Sequence, residues 1–227
     1  MVSLDLEVLI NALPQLLRGL QNTLILTLVS LFVGSVMGIL MAVTRTFGTR
    51  VLSTIVYLYE KIFRGIPLLV IFFLIYFGLS QVGINLEPLI AAVIGLGLRS
   101  AAYQAQIFRA ALNSIPEGQS TAAQSIGMTR IQSIRYILLP QVLRLSIPGW
   151  SNEFTIVLKD TSIAFTIGVI ELMRQGRYIY VLNPDLILPV LLIIALIYFV
   201  LVFSINKSLG FLEKKYRMKG FDVSVER

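Results

Sequence analysis

Four ionisable side chains interrupt stretches of sequence that are otherwise apolar: Arg99, Glu153, Lys159 and Asp160. A charged side chain at the centre of a membrane costs about 2.5–3.5 kcal/mol on insertion scales, so such residues usually face a protein interior and mark a pathway. Glu153 and Asp160 are seven residues apart, which brings both carboxylates to one face of a helix, about 10 Å apart along its axis. The chemistry on offer is ion pairing and hydrogen bonding inside a membrane.

Two interpretations of these charges are open. In the first, Glu153 and Asp160 present carboxylates to a cationic group of a bound solute, Arg99 binds a carboxylate of that solute through its bidentate guanidinium, and Ser162 is a further candidate contact. In the second, the charges neutralise one another, Arg99 pairing with Glu153 and Lys159 with Asp160. We favour the first interpretation for Glu153 and leave both open for the Lys159–Asp160 pair.

The composition gives little support to covalent catalysis. The chain has no His and no Cys, so the usual general base near neutral pH and any thiolate chemistry are missing. Ser162 and Asp160 have no His with which to form a nucleophile–base pair. Only 14% of the 227 residues are charged, 56% are hydrophobic and the mean hydropathy is +0.84, whereas a soluble domain has about 25% charged residues. The class indicated is a membrane protein.

The elements that must position these residues are membrane-spanning helices, each of which needs roughly 20 apolar residues. The hydrophobic stretches predict an all-α polytopic protein of one domain with about five spans. These cover about 20–43, 51–79 with a bend near residue 65, 88–108, 147–168 and 186–205. A GxxxG pattern at Gly34 and Gly38 predicts close helix packing in the first span.

The distribution of Lys and Arg predicts the orientation. Most of the 19 basic residues lie between spans one and two, between spans three and four, or after span five. Only Arg18, Arg174 and Arg177 fall on the other side. We therefore expect the N-terminus outside and the C-terminus inside. The net charge of +7 is explained by this topology, without a nucleic-acid partner.

The longest cytoplasmic connection, about 109–146, contains an unusually polar segment. PEGQSTAAQSIGM predicts a short helix, with Pro116 in its first turn and Gly127 just after its end. Thr129 and Gln132 form a capping-box pattern that begins a second helix, which Pro140 is expected to interrupt.

The first of these helices carries small residues, including Ala122, Ala123 and Ser125. They present a surface of low relief that suits insertion into a groove of another protein. The alternative is an amphipathic helix on lipid headgroups, which needs a row of large apolar residues on one face. Because Ile126 and Met128 come only at the end of the segment, we favour a protein partner.

The sequence AAQSIGM, followed by ILLP at residues 137–140, resembles the EAA loop of ABC importer permeases. LLRGLQNTLILTLVS, RGIPLLVIFFLIYFGL, AAYQAQIFRAALNSIPEGQ and NEFTIVLKDTSIAFTIG resemble, in order, further segments of the polar amino acid branch of that family. The resemblance covers about residues 16–215. Two departures are Thr121 and Gln106, where the family usually has Glu.

This resemblance implies the assembly. The helix at about 118–127 would be the coupling helix of a prokaryotic inner-membrane permease, contacting an ATPase subunit through Gln119, Thr121, Ala122, Ala123, Gly127 and Met128. This chain lacks the phosphate-binding GxxxxGK[ST] pattern, so ATP and Mg would be bound by that partner and no cofactor by the chain itself. A second permease chain, identical or related, and an extracellular or periplasmic solute-binding protein would complete the importer.

The resemblance also implies a polar amino acid as solute, and the acidic Glu153 suits Arg, Lys or His. Asp160 lies in LKDTS, which is common to relatives with different substrates and so suits architecture or gating. The alternative function is a self-sufficient channel or secondary transporter for a small polar solute. That alternative leaves the capped polar loop unexplained and expects corresponding helix interruptions in two repeats, which the sequence does not display.

Overall fold

Within residues 2–216, the part of the chain that the computed structural model describes, with side chains from residue 13 onward, every element is helical. The all-α prediction is confirmed for these residues. The α-helices are α1 (Val2–Phe47), α2 (Arg50–Gly65), α3 (Leu68–Phe73), α4 (Pro88–Ser114), α5 (Gly118–Ser125), α6 (Arg130–Gln132), α7 (Leu139–Leu145), α8 (Ile147–Asp160), α9 (Leu172–Leu182) and α10 (Ile187–Tyr216). Wider π-helical turns continue α3 over Leu74–Gly78 and join α6 to α7 over Ser133–Leu138. Tighter 3₁₀ turns cover Thr161–Ile167 and Pro184–Leu186.

Helices α1 and α4 pack closely along their length, because glycines remove side chains where the backbones approach. A Cβ on Gly34 would lie 2.7 Å from Gln104 Nε2, and a Cβ on Gly38 would lie 2.9 Å from Gln104 Cβ. Both distances are shorter than van der Waals contact, so the predicted role of the two glycines in close packing is confirmed. This contact fixes α4, which carries Arg99, against the first span.

The chain turns through 105° between α2 and α3. Gly65 is the last residue of α2, and Ile66 and Pro67 are extended, with ψ of 132° and 138°. Proline disfavours the helical conformation of the residue before it, which accounts for the extended Ile66. The turn lies where the sequence predicts a bend, and it is far sharper than the kink of a continuous helix.

Two helical segments are long and apolar enough to cross a membrane, Leu13–Phe47 and Pro184–Tyr216, and a third is added if α2 and α3 count as one broken span. Helix α8 has only 14 residues, and α4 carries Arg99, Gln104, Gln106 and Arg109 among its apolar residues. The total of five spans and the orientation therefore stay predictions. Of the basic residues in the tail, Arg217, Lys219 and Arg227 lie outside the described residues.

Three hydrophobic clusters hold the bundle together. The central cluster joins α1, α3 and α4 to α8 and the 3₁₀ turn after it, with Phe72, Leu96 and Val157 fully covered. A second cluster joins α1 to α9 and α10, and a third joins the C-terminal ends of α1 and α4 to α7. Helices α4 and α8 thus contact each other between two packed regions, and this contact positions the charged residues.

The helix that begins at Arg130 does not end before Pro140, which corrects the expected interruption. It continues through the π-helical turn Ser133–Leu138 directly into Leu139–Leu145. Proline lacks an N–H and its ring collides with the carbonyl four residues earlier. A π-helical turn widens the helix at that point, which accommodates the ring without breaking the helix.

Candidate functional site

Helices α4 and α8 bring three of the predicted solute ligands together. Arg99 and Ser100 lie near the middle of α4, while Glu153 and Asp160 lie on α8. Pro148 is in the first turn of α8, where its missing N–H costs no hydrogen bond. After Asp160 the helix tightens into the 3₁₀ turn, which ends at Gly168 with a left-handed φ of 99°.

Arg99 pairs with Asp160, through Nη1 and Oδ2 at 2.5 Å. The two side chains remain about one-fifth exposed, and the guanidinium also lies over the ring of Tyr103, 4.9 Å from its centroid. The expected pairs for internal neutralisation, Arg99 with Glu153 and Lys159 with Asp160, are both absent from the described ion pairs. That part of the interpretation is wrong, because Arg99 pairs with Asp160, the acidic residue that is farther from it in sequence.

Glu153 has no cationic partner among the residues that the structure describes. Its side chain is 2% exposed, its Oε1 accepts a hydrogen bond from Ser100 Oγ at 2.8 Å, and no ion pair involves it in the part of the chain that the structure describes. An isolated buried carboxylate is unfavourable because its hydration is lost. Because the described donor to Glu153 is a neutral hydroxyl, a cation that bound there would compensate the negative charge of the carboxylate.

The hydroxyl of Ser162 is hydrogen-bonded within its own turn. It donates to the carbonyl of Lys159 at 2.7 Å, within the turn that follows α8. The side chain of Lys159 is exposed. Ser162 is half-buried, whereas Glu153 is buried.

A chain of hydrogen bonds leads from Trp150 to Glu153, and the sequence did not predict it. Trp150 Nε1 donates to Ser35 Oγ at 3.0 Å, and Ser35 Oγ donates to Gln104 Oε1 at 2.7 Å. Gln104 Nε2 then donates to Ser100 Oγ at 3.0 Å, and Ser100 donates to Glu153. Trp150 is half-buried, and its indole N–H points into the protein. One available signal was Gln104, a polar residue one helical turn after Ser100 in a predicted span.

A second buried carboxylate, Glu60 on α2, was also missed. It is 1% exposed, lies 3.9 Å from Arg45 Nε through Oε1, and accepts a hydrogen bond from Gln106 Nε2 at 3.2 Å. Gln106 is the position at which the related family usually has Glu. An amide donor there suits Glu60, because a second carboxylate would repel it.

The polar segment after α4 forms the predicted helix, turn and second helix, but α5 begins at Gly118, so Pro116 lies before the helix and not in its first turn. Gly127 adopts φ of +86°, Gly127 N–H donates to the Gln124 carbonyl at 2.9 Å and Met128 N–H donates to the Ala123 carbonyl at 3.1 Å. These two bonds form a Schellman motif, the common left-handed end of a helix. Thr129 and Gln132 form the expected capping box, so α5, the turn and the start of the next helix are confirmed.

Helix α5 has one buried residue, and the other candidate contact residues in it and just after it are mostly exposed. Ala123 is buried against the rest of the chain, whereas Gln119, Thr121, Ala122 and Gly127 are exposed. Ala123 therefore holds α5 in place and is not positioned to contact a partner directly. Beyond the small residues, large apolar side chains are exposed beside α5: Ile126 (77%), Ile131 (77%) and Tyr136 (60%).

Thr121 also lines a cavity of about 570 Å³ between α5 and the end of α1, together with residues such as Phe47, Glu117 and Arg130. A smaller cavity of about 400 Å³ lies at the opposite end of α4, beside Asn22, Pro88 and Gly168. Among the described residues there is no group of three or more acidic residues that could hold a metal ion.

Comparison with known proteins gives consistent matches along the chain. Residues 34–218 match the family described as binding-protein-dependent transport system inner membrane component. The chain is 41% identical to the probable amino-acid permease protein YxeN of Bacillus subtilis strain 168, over 92% of this chain and 95% of that protein. It is 34% identical to the glutamine transport system permease protein GlnP of Escherichia coli strain K12, over 91% and 95%. A solved amino acid ABC transporter with histidines superimposes with a TM-score of 0.83 at 34% identity, covering 91% of this chain and 96% of that one.

Proposed function

The chain belongs to the family of binding-protein-dependent transport system inner membrane components, as a permease of the amino acid ABC importer type, and from that premise we propose that it carries cationic amino acids. The relatives do not share one substrate, since GlnP is named for glutamine. The substrate class must therefore be argued from the residues of this chain.

The observation that carries the proposal is the unpaired carboxylate of Glu153. It lies buried between α4 and α8 with one hydrogen bond, from Ser100. The ammonium or guanidinium of a lysine or arginine side chain would supply the missing charge, and a hydrogen bond to a charged group is worth about 1.5–3 kcal/mol. Because Glu153 is covered, the cargo reaches it when α4 and α8 separate as access changes sides.

Arg99 and Asp160 have a complementary role in this proposal. Their ion pair commits Arg99 to Asp160, and Glu153 has no ion pair among the described residues. A guanidinium has five N–H donors, and the described structure commits only one of them, Nη1, to Asp160. We propose that the remaining donors of Arg99 bind the α-carboxylate of the amino acid, with Ser162 as a further contact.

Coupling to ATP hydrolysis is proposed to run through α5. We propose that ATPase subunits bind its exposed face, that a second permease chain completes the pathway, and that a solute-binding protein delivers cargo at the opposite, outer end. The exposed small residues Thr121, Ala122 and Ser125 of α5 support a protein contact there. The relatives named above are permeases of transport systems, which favours this assembly over a self-sufficient channel or secondary transporter.

The test is uptake of L-arginine and L-glutamine by proteoliposomes that contain the permease with its ATPase and binding protein. Glu153→Gln removes the charge and keeps the side-chain volume, so the KM for arginine should rise roughly tenfold or more. The KM for glutamine should change by less than about twofold, since a neutral side chain gains no ion pair.

Glu213→Gln is the matched control, because Glu213 is an exposed carboxylate near the end of α10. It should leave both KM values unchanged. An equal loss of arginine and glutamine uptake in Glu153→Gln would assign Glu153 to folding and overturn the proposed preference.

A further inference from the structure

We propose that Trp150, Ser35, Gln104 and Ser100 act together as a donor chain that positions Glu153 and thereby sets the preference for cationic over neutral amino acids. This inference rests on the proposed function. These four residues are positioning residues, since they act on the cargo only through Glu153. They come from three helices: α1 supplies Ser35, α4 supplies Ser100 and Gln104, and α8 supplies Trp150.

The direction of every bond in the donor chain is fixed by its two ends. The indole N–H of Trp150 can only donate, and an ionised carboxylate can only accept. Each serine hydroxyl has one proton, so a serine that accepts from one neighbour gives its proton to the next. Ser35 therefore donates to Gln104, and Ser100 donates to Glu153.

The amide of Gln104 cannot be reversed without losing bonds. Its Nε2 also donates to the carbonyl of Leu31 at 3.3 Å, and a carbonyl oxygen accepts but never donates. Turning the amide over would place Oε1 against that carbonyl. Gly34 provides the space for this amide, because a Cβ there would lie 2.7 Å from Nε2. Gln104 is thus fixed in the orientation that passes a donor to Ser100.

The result is a carboxylate whose two oxygens differ. Oε1 is held by Ser100, while Oε2 makes no hydrogen bond to any described residue. The donor chain restricts rotation of the carboxylate, and so it leaves one defined oxygen for the cation. An ammonium or guanidinium depends on that placement, whereas the neutral side chain of glutamine depends on it less, because it makes no ion pair.

The primary experiment compares Ser100→Ala with Thr155→Val in the complete importer in proteoliposomes. Ser100→Ala removes the donor to Glu153, so the KM for arginine should rise roughly three- to tenfold with little change in kcat, and that for glutamine less than twofold. Thr155 lies two residues after Glu153 and donates to Asn206 Oδ1 at 2.7 Å. Thr155→Val therefore removes a hydroxyl from α8, the helix of Glu153, at a residue outside the donor chain. It should not change the ratio of the KM values for arginine and glutamine.

Two further variants test whether the four residues act through Glu153. Trp150→Phe removes the first donor but keeps a ring, and should shift the KM ratio in the same direction by a smaller factor than Ser100→Ala. The double variant Glu153→Gln, Ser100→Ala should have the same ratio of KM values for arginine and glutamine as Glu153→Gln alone.

The outcomes separate the two proposals. If Glu153→Gln selectively weakens arginine uptake while Ser100→Ala behaves like Thr155→Val, the donor chain is overturned and the substrate preference stands. A further shift of the ratio by Ser100→Ala in the Glu153→Gln background would also overturn it. If Glu153→Gln itself lacks selectivity, the proposed preference fails, and the donor chain fails with it.

Discussion

Arg99 and Asp160 show how one carboxylate on α8 is neutralised while another, Glu153, is not. Both acidic residues lie on one helix face, and an arginine on the neighbouring helix can reach either. Which one it reaches depends on how far α8 is displaced along α4, a relation that comes from packing. The sequence therefore pointed to the three charged residues but did not predict which of them pair.

The residues missed at this scale share a cause. Ser35, Gln104 and Trp150 are unremarkable alone and gain a role only through contact between helices that are distant in sequence. Glu60 was missed because an amphipathic segment does not reveal which of its polar residues is buried. By contrast, Glu153 could be found because a carboxylate in an apolar stretch is unusual anywhere.

Neutralising Arg99 should destabilise the protein by leaving Asp160 half-buried and unpaired. For Arg99→Gln we expect a loss of about 1–2 kcal/mol, less than for a fully buried pair because both side chains keep some exposure. It should appear as a lower midpoint of thermal unfolding for the purified complex. Arg99→Gln combined with Asp160→Asn should recover most of the midpoint. A double variant as unstable as the single one would contradict the pairing.

At the scale of elements, features that depend on neighbouring residues could be predicted from the sequence, and features that depend on distant residues could not. The end of α5 and the start of α6 were predicted because a left-handed glycine and a capping box depend only on neighbouring residues. The π-helical turn before Pro140 was not, since proline in a helical pattern most often ends or kinks the helix. The fit of Ala123 into the body of the protein likewise depends on the turn that lies beside it.

Gly127 offers a test of α5 as the coupling element. Nothing lies within 4 Å of a Cβ built on it, so a substitution acts through its positive φ alone, at roughly 1–2 kcal/mol. Gly127→Val should reposition α5 and lower substrate-stimulated ATP hydrolysis by the assembled importer. Gly127→Asn should retain most of that activity, because asparagine tolerates the left-handed conformation.

The control for this series is Gly118→Ala. Gly118 also has open space around it but no positive φ, and alanine favours a helix, so hydrolysis should be unchanged. Equal activity of Gly127→Val and Gly118→Ala would show that the turn does not matter for coupling.

At the scale of the whole molecule, the fold class could be predicted because membrane proteins require helices that satisfy their own backbone. The number of spans was harder to predict, since α4 carries polar residues among its apolar ones and α8 is short and continues into a 3₁₀ turn. Polar residues that face the interior of a bundle thus lower the hydrophobicity of the helices that carry them, and these helices are harder to recognise as spans.

The orientation can be tested with single cysteines, because the chain has none of its own. Val82→Cys and Ile126→Cys both introduce a thiol at an exposed position, 72% and 77% exposed. In intact cells, a membrane-impermeant maleimide should label Val82→Cys and should label Ile126→Cys only after solubilisation in denaturing detergent. The reverse pattern would place α5 outside and exclude contact with an ATPase.

The hydrogen bonds behind Glu153 begin and end on the same helix, since Trp150 and Glu153 both belong to α8 while the residues between them belong to α1 and α4. They close a ring that is anchored at two points, one helical turn apart. A sliding or rotation of α8 against the other two helices would open both anchors together, because neither bond can stretch far. Loss of the bond that holds the Glu153 carboxylate would therefore be coupled to loss of the bond between Trp150 and Ser35.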